Sequence, residues 1–248
     1  MRVAAIYDNH GNLPALDAVL ADIRRAGVDR IVVGGDVAPG PMTRESLERL
    51  MGLDVPVDFL LGNGDAAVLA AADGRDPGPM PDEAKAAVRW TAASLDAAHL
   101  EAIAAWPATV RLHVPPLGDV LFCHATPRDH TEIFTRVTDE ARLTPIFAPA
   151  AAAIVVCGHT HMAFDRMIGA TRVVNAGSAG MRFGGTGADW LLLGPSVELR
   201  HVAYDLPAAA SLITATAYPG AADFAARFVL DSPAEAAMLE AYRRAELA

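Results

Sequence analysis

Five apolar segments of the chain are followed by polar residues of the types that bind metal ions. The sequences YDNHGN, GGDVAPGP and LGNGD follow the first three segments, and FCHATP and CGHTH come at the ends of two later ones. Imidazole nitrogens, carboxylates and an amide oxygen together suit a borderline divalent cation such as Mn, Fe, Co, Ni or Zn. Calcium would prefer a shell of oxygen atoms alone. The predicted metal ligands are Asp8, His10, Asp36, Asn63, His124, His159 and His161.

The spacing within two of these sequences predicts that pairs of ligands face the same way. Residues i and i+2 of an extended chain project to one side, so Asp8 is expected beside His10, and His159 beside His161. Taken singly, Asp8 could cap a helix and Asp36 could end a turn. Capping does not explain metal-type ligands at five separate junctions.

The elements that must position these ligands follow a βαβ pattern in the first part of the chain. Asn12 is predicted to cap the first helix and Gly27 to end it. LLGNGD is expected to be a strand that enters a tight turn, because Gly and Asn tolerate positive φ. Parallel strands place their carboxyl ends at one edge, where open α/β sheets bind ligands. The predicted strands are 3–7, 31–33 and 57–61, with a helix around 46–51.

Beyond this part, the pattern changes to a helical insert and then to short strands. A loop rich in Gly, Pro and Asp at 73–81 precedes the insert at about 82–105. A helical extension is expected at about 206–248, with Ser232 as the N-cap of its last helix and Pro233 at the first helical position. The predicted organisation is a single domain, 1–248. Its later strands are 109–114, 120–123, 154–157, 162–168, 171–175, 189–193 and 197–204.

Composition narrows the class of protein. The net charge of −10 argues against extended nucleic-acid binding. Cys123 and Cys157 cannot form a disulfide framework, and the N-terminus lacks the features of a signal peptide. The longest apolar stretch, 147–157, is shorter than the roughly 18 residues that span a bilayer. We therefore expect a cytoplasmic protein that does not enter a membrane.

In this order, the motifs D-x-H-G-N, G-D, G-N-x-D, H and G-H-x-H resemble those of the calcineurin-like metallophosphoesterase superfamily. The similarity is greatest to its small bacterial and archaeal predicted phosphoesterases, extends from residue 2 to about residue 204, and includes NAGSAG at 175–180. The resemblance implies an α/β fold, a four-layer α-β-β-α sandwich with two central mixed sheets. It also implies a hydrolase of small phosphate esters that uses a metal-activated water at a binuclear site.

The resemblance also assigns roles to the ligands. Asp36 would bridge two divalent ions, and Asp36, Asn63 and Asp65 are the predicted catalytic residues. The first ion would be held by Asp8, His10, Asp36 and His161. The second would be held by Asp36, Asn63, His124 and His159.

One position departs from the pattern of many relatives, which have G-N-H-D where this chain has Gly64. Their His helps to bind the phosphate or to protonate the leaving group, so Asp65 here lacks its partner and could instead order the loop. A phosphodiesterase is therefore favoured over a phosphomonoesterase, because a poor alkoxide leaving group needs a proton most. The alternatives are a metal-loaded binding or regulatory protein without turnover and, against the acidic charge, a nuclease.

The remaining candidate residues, two arginines, a tyrosine and two cysteines, can each be interpreted in two ways. Arg128 and Arg182 could bind the substrate phosphate, since a guanidinium matches phosphate geometry, or form surface ion pairs. Tyr7 could pack in the core or place its hydroxyl near the phosphate. Cys123 and Cys157 are expected to be small buried hydrophobes rather than thiolate ligands.

Overall fold

Two five-stranded sheets form the centre of the molecule in the computed structural model, which describes residues 1–247. In the first sheet the order is β10-β9-β1-β2-β3, with β1, β2 and β3 parallel and β9 antiparallel to both β1 and β10. Its strands are β1 (Val3–Ile6), β2 (Arg30–Val33), β3 (Val57–Phe59), β9 (Ala188–Leu193) and β10 (Val197–Val202).

The second sheet has the order β4-β5-β6-β8-β7 and is also mixed. Strands β5, β6 and β8 are parallel, and β4 and β7 are antiparallel edge strands. Its strands are β4 (Thr109–Val114), β5 (Gly118–Cys123), β6 (Ile154–Cys157), β7 (Phe164–Ile168) and β8 (Thr171–Asn175).

Helices cover the outer faces of both sheets. A 3-10 turn (Ala148–Ala150) follows α6, and a π-helical stretch (Ala225–Leu230) follows α8. No helix within residues 1–247 is long and apolar enough to cross a membrane. The helices are α1 (Leu13–Ala26), α2 (Thr43–Met51), α3 (Asn63–Ala72), α4 (Asp82–Ser94), α5 (Ala97–Ala104), α6 (Glu140–Phe147), α7 (Leu206–Thr214), α8 (Ala221–Phe224) and α9 (Glu235–Arg243).

Side-chain alternation along the strands produces the layers. On β1, Val3 and Ala5 pack between the two sheets, and Ala4 and Ile6 pack against the helices of the first sheet. On β6, Val156 faces the space between the sheets and Val155 faces α6. The fold is therefore the predicted four-layer sandwich with two central mixed sheets.

The ends of α1 follow the sequence prediction. The Asn12 side chain accepts a hydrogen bond from the Ala15 amide (3.3 Å), and Gly27 ends the helix with φ of 66°. The predicted helical insert is present as α4 and α5. That the chain is one domain remains a prediction.

Three predictions of local structure need correction. The predicted strand 57–61 is shorter, since β3 ends at Phe59, and the predicted tight turn in LLGNGD is the start of α3, at Asn63. The last helix begins at Glu235, and its N-cap is Ala234 rather than Ser232. The Ser232 hydroxyl instead accepts a hydrogen bond from the Gly185 amide (3.0 Å) and donates one to the Gly185 carbonyl (2.8 Å). Helix α6 was not predicted, and the final residue of the predicted extension, 248, lies outside the described residues.

Candidate metal centre

All seven predicted ligands lie at the ends of strands or at a helix start along one edge of the sandwich. The structure collects six of them into two groups in which the ligand atoms lie within 4.8 Å of one another. One group is Asp8, His10 and His161, and the other is Asp36, His124 and His159. Asn63 joins the second group, with its Oδ1 atom 2.9 Å from His124 Nε2.

The backbone conformation of these loops explains how the ligands converge. The φ angles are 54° at Asp8, 47° at His10 and 53° at Asp36, a left-handed conformation that is uncommon for residues other than glycine. Hydrogen bonds hold it: the Asp8 amide donates to Gly35 O (3.1 Å), and the His10 amide donates to Asp36 O (2.9 Å). Such conformations concentrate at functional sites.

His159 and His161 are also left-handed, with φ of 68° and 58°. The chain is therefore not extended at these residues or at Asp8 and His10, so the argument from i and i+2 applies to neither pair. The two imidazoles belong to different ligand groups, whereas Asp8 and His10 share one. This division matches the one that the family resemblance implies.

The Asp36 carboxylate lies between the two groups. Its Oδ2 atom is 3.7 Å from His10 Nε2 and 3.5 Å from His124 Nε2. The Gly64 amide donates to its other oxygen, Oδ1, at 2.7 Å. One carboxylate thus faces imidazoles of both groups, which is the position that a bridging ligand needs.

The hydrogen bonds of His10 and His161 test whether the groups suit a cation. Their Nδ1 atoms face the carbonyls of Pro39 (3.3 Å) and Met181 (2.9 Å), and a carbonyl only accepts, so both Nδ1 atoms carry hydrogen. Burial lowers the pKa of both imidazoles and keeps them neutral near pH 7. Two Nε2 lone pairs therefore face each other across 3.2 Å, an arrangement that fits a cation between them.

Two buried ligand atoms have no hydrogen-bond partner within residues 1–247: Asp8 Oδ1 and His159 Nε2. An unsatisfied buried polar atom is costly, by about 1–3 kcal/mol. Asp8 Oδ1 lies 3.6 Å from His161 Nε2 and 3.9 Å from His124 Nε2, so it faces both groups. A cation in each group would satisfy these atoms.

The electrostatics of the second group lead to the same conclusion. Burial lowers the pKa of His124, but the carboxylates of Asp36 and Asp8 outweigh burial and raise it to about 10. Burial raises the pKa of Asp36, but the imidazoles of His124, His10 and His159 outweigh burial and lower it. The carboxylates of Asp36 and Asp8 therefore favour positive charge at this group.

Asp65 orders the loops rather than facing the cleft. It is fully buried, its Oδ2 atom accepts from the amides of Asp36 (2.7 Å) and Gly62 (3.1 Å), and its Oδ1 atom accepts from Ala38 (2.9 Å). Burial, followed by the charge of Asp36, raises the pKa of Asp65 to about 7. These contacts support a positioning role, and direct participation in catalysis remains a prediction.

The NAGSAG motif, 175–180, holds the ligand loops in place. The Asn175 side-chain Nδ2 donates to Gly158 O (2.6 Å) and Thr160 Oγ1 (3.1 Å), on either side of His159. The Ser178 hydroxyl donates to Asp8 O (2.7 Å). The motif therefore positions ligands from both sheets without contributing one.

The structure does not bring the two predicted phosphate-binding arginines into the cleft. Arg128 donates to Glu132 (2.9 Å) and Arg182 donates to Asp189 (2.8 Å), and neither lines the space over the ligands. Tyr7 is buried, with its hydroxyl donating to Val156 O (3.1 Å). A role for either arginine in binding substrate remains a prediction.

Both cysteines are buried in the apolar cluster between the second sheet and α6. Burial raises the pKa of both thiols, which disfavours the thiolate form that binds metals. The expectation of small buried hydrophobes is confirmed.

A cleft of about 320 Å³ lies over the ligands, and part of its lining was not predicted from the sequence. The C-terminal segment, defined as residues 206–247, contributes four rings that we call the aromatic wall. The spacing of Phe224 and Phe228, four residues apart, is the signal that could have indicated a shared helix face. The aromatic wall consists of Tyr218, Phe224, Phe228 and Tyr242.

Comparisons with known structures agree on the fold. A hypothetical protein from Pyrococcus horikoshii matches with a TM-score of 0.78 and 19% identity, over 94% of this chain and 99% of that one. A metallophosphoesterase from Sphaerobacter thermophilus matches with a TM-score of 0.72 and 24% identity, over 92% and 100%. Yfce, a phosphoesterase from E. coli, matches with a TM-score of 0.50 and 18% identity, over 83% and 100%.

The sequence comparisons identify the family. No curated protein matches the chain. The family model described as the calcineurin-like phosphoesterase superfamily domain matches residues 1–194, which contain every predicted metal ligand. The chain belongs to the calcineurin-like phosphoesterase superfamily.

Proposed function

We infer that this protein is a metal-dependent hydrolase of phosphate esters that acts at a binuclear centre and prefers phosphodiesters to phosphomonoesters. The observation that carries this proposal is the pair of ligand groups with the Asp36 carboxylate between them. Membership of a phosphoesterase family supports the reaction class.

The residues present fit two transition-metal ions, Mn, Fe, Co, Ni or Zn, by their mixture of nitrogen and oxygen donors. When bound, the two ions would activate a water molecule and neutralise charge on the phosphate oxygens. Asp36 would contact both ions. The other ligands would be Asp8, His10 and His161 for one ion, and Asn63, His124 and His159 for the other.

The preference for phosphodiesters rests on the surroundings of Gly64. A Cβ atom added there would lie 2.4 Å from Ala38 O and 2.9 Å from Pro39 Cδ, so this backbone has no room for a histidine. The leaving group therefore receives no proton from this position, which harms a monoester with a poor leaving group most.

A small phosphate ester in the cytoplasm is the proposed setting. The net charge of −10 opposes long polyanions, and two buried free cysteines suit a reducing compartment. The negative charge counts against a nuclease, and the free cysteines count against a secreted enzyme.

The test compares wild type with Asp36→Asn, both supplied with Mn²⁺, on bis(p-nitrophenyl) phosphate for the reaction class. A diester and a monoester that release the same alkyl alcohol test the preference, because that leaving group needs a proton. We expect the diester to be hydrolysed with the higher kcat/KM, and Asp36→Asn to lose more than about 100-fold, since changes to the outer partners of metal ligands alone cost roughly 10–100-fold.

Equal background rates in the two proteins would contradict the proposal and favour a metal-loaded binding protein. Cleavage of single-stranded DNA or RNA that Asp36→Asn abolishes would instead indicate a nuclease.

A further inference from the structure

The cleft over the ligand groups has two chemically different sides. One side consists of the ligands themselves, and the other of apolar side chains. Within residues 1–247, no lysine or arginine lines the cleft. The apolar side consists of Pro39, Met181, Tyr218, Phe224, Phe228 and Tyr242.

Ring contacts connect the aromatic wall to the metal centre. Phe183 stacks on the ligand His161, with centroids 4.9 Å apart and planes inclined by 30°. Phe183 in turn lies 6.5 Å from Phe228 and 6.4 Å from Tyr242. The wall therefore begins one ring away from a metal ligand.

The contacts continue outward from Phe228. Its ring lies 5.4 Å from Phe224, which lies 6.1 Å from Tyr218, and Tyr218 makes an edge contact with Trp90 at 5.5 Å. Three rings of the wall, those of Tyr218, Phe228 and Tyr242, are only half-buried and line the cleft. They offer aromatic surface to a ligand.

The wall is held by its own apolar cluster and by hydrogen bonds to the rest of the molecule. Phe224 is buried with Ile213 and Val229 in a cluster formed by α7, α8 and the π-helical stretch. The Gly184 amide donates to Pro233 O (2.9 Å), and the Gly185 amide donates to Ser232 Oγ (3.0 Å). The wall is thus held in place by contacts within the chain itself.

Size and charge define the ligand that fits this cleft. A cavity of about 150 Å³ accepts benzene, so about 320 Å³ has room for a phosphoryl group and a ring. A lining without lysine or arginine suits a ligand whose only charge lies on its phosphoryl group. Burial raises the pKa of Tyr218 to about 12 and also raises that of Tyr242, so both phenols are neutral and can stack on a flat apolar group.

We propose that the aromatic wall binds a flat aromatic ester group, an aryl group or a nucleobase, of a phosphodiester whose phosphoryl group lies at the metal centre. This inference rests on the proposed function for the position of the phosphoryl group. The wall then selects among phosphodiesters by the stacking of their ester groups.

Binding of two phosphonates to the Mn²⁺-loaded protein tests the proposal without turnover, because the carbon–phosphorus bond is not hydrolysed. Phenylphosphonate and methylphosphonate present the same oxygens and, at a pH where both are dianions, the same charge. We expect calorimetry to give an affinity about tenfold higher for phenylphosphonate, as stacking on aromatic side chains supplies. Adenosine 5′-monophosphate and ribose 5-phosphate form the matching pair for a nucleobase. Because both are phosphate esters, release of inorganic phosphate is measured after each titration to check that neither was hydrolysed.

Variants of the wall locate the effect. The affinity ratio should fall towards one in Tyr242→Ala and Phe228→Ala and should persist in Tyr242→Phe, which keeps the ring. Helix α9, which carries Tyr242, has no buried residue, so Tyr242→Ala is expected to fold, and its near-UV circular dichroism checks this.

Affinity ratios near one for both pairs in wild type would overturn the proposal, and so would a ratio that survives both alanine changes. A tenfold ratio in either pair, lost in the alanine variants, supports it and identifies the ester group as aryl or nucleobase. If that ratio is found in a protein that hydrolyses no phosphate ester, the proposed hydrolase fails and the aromatic site stands.

Discussion

The metal-ligand loops and the C-terminal segment border the same cleft, and they are built in different ways. The loops place buried polar side chains by left-handed backbone and by hydrogen bonds to amides and carbonyls, as at Asp8 and Asp36. The C-terminal segment places half-buried rings on helices and in the loop between α7 and α8. One of these helices, α9, has no buried residue. Small displacements of the loops would misplace the ligands, whereas residues of the C-terminal segment can be substituted without moving the ligands. We therefore expect the loops to control the reaction and the segment to control the choice of substrate.

The largest expected effect comes from removing one imidazole from each ligand group. His161→Ala and His159→Ala should each lower the metal content from about two ions to about one and reduce kcat/KM by more than about 100-fold. Elemental analysis and the diester assay measure the two quantities. His113→Ala is the matched control, because His113 is exposed and, within residues 1–247, forms an ion pair with Asp119 alone. Unchanged metal content in both ligand variants would remove the basis for the binuclear site.

The second-largest effect is expected on the thermal stability of the protein when the metal is removed. Mn²⁺ at about 100 times its Kd stabilises the folded state by roughly 2.7 kcal/mol at each site, and so by roughly 5.4 kcal/mol at two sites. For a chain of 248 residues this corresponds to a fall in Tm of roughly 10–20 °C in EDTA. Differential scanning calorimetry measures it. The same comparison in His159→Ala should give a smaller difference. A wild-type Tm that is equal in EDTA and in Mn²⁺ would contradict the idea that the ligand groups bind a cation.

A smaller effect is expected at Gly64, where two explanations predict opposite signs. If Gly64 were only a lost catalytic position on α3, Gly64→Ala would stabilise the helix by up to about 1 kcal/mol. Because the added Cβ would lie 2.4 Å from Ala38 O, we expect destabilisation of about 1–3 kcal/mol instead. Urea unfolding measures the difference in free energy.

Gly52→Ala is the control for this change, since φ at Gly52 is −89° and its added Cβ would meet only Glu48 O, at 3.1 Å. A more stable Gly64→Ala protein would show that the loop around Ala38 adapts. The absence of histidine would then need another reason than lack of space.

The sequence predicted most of this architecture because its signals are local. Buried strands appear as apolar runs, as at Ile154–Cys157, and Asn12 and Gly27 mark the ends of α1 through their own chemistry. The order of the motifs identified the family and assigned the ligands to two groups. The spacing of His159 and His161 alone gave the wrong expectation that the two imidazoles face the same way, because both residues have left-handed φ angles that spacing does not reveal.

Other features depended on contacts between distant parts of the chain. Asp65 accepts from the amides of Asp36 and Ala38, and this brings the start of α3 against the loop after β2. The ion pairs of Arg128 and Arg182 are likewise set by packing. The aromatic wall was missed because its rings meet the ligands only through the docking of helices more than forty residues from the nearest ligand in sequence.

The smallest expected effect is on the opening of α9, and it tests the difference in local stability between the two regions. Glu235, at the start of α9, accepts from Arg136 at 2.8 Å, and both side chains are partly exposed. An exposed pair of this kind contributes about 0.2–1 kcal/mol, so Glu235→Gln should speed amide hydrogen exchange in α9 by roughly two- to fivefold. Exchange in β6, at the centre of the second sheet, should not change.

Asp165→Asn is the matched control for this last change, since it removes the partner of Arg172 in a similar partly exposed pair on the second sheet. It should leave exchange in α9 unaltered. If Glu235→Gln also sped exchange in β6 or altered metal content, the C-terminal segment and the ligand loops would be one cooperative unit. The division between a region for the reaction and a region for substrate choice would then fail, because changes in the aromatic wall would also move the metal ligands.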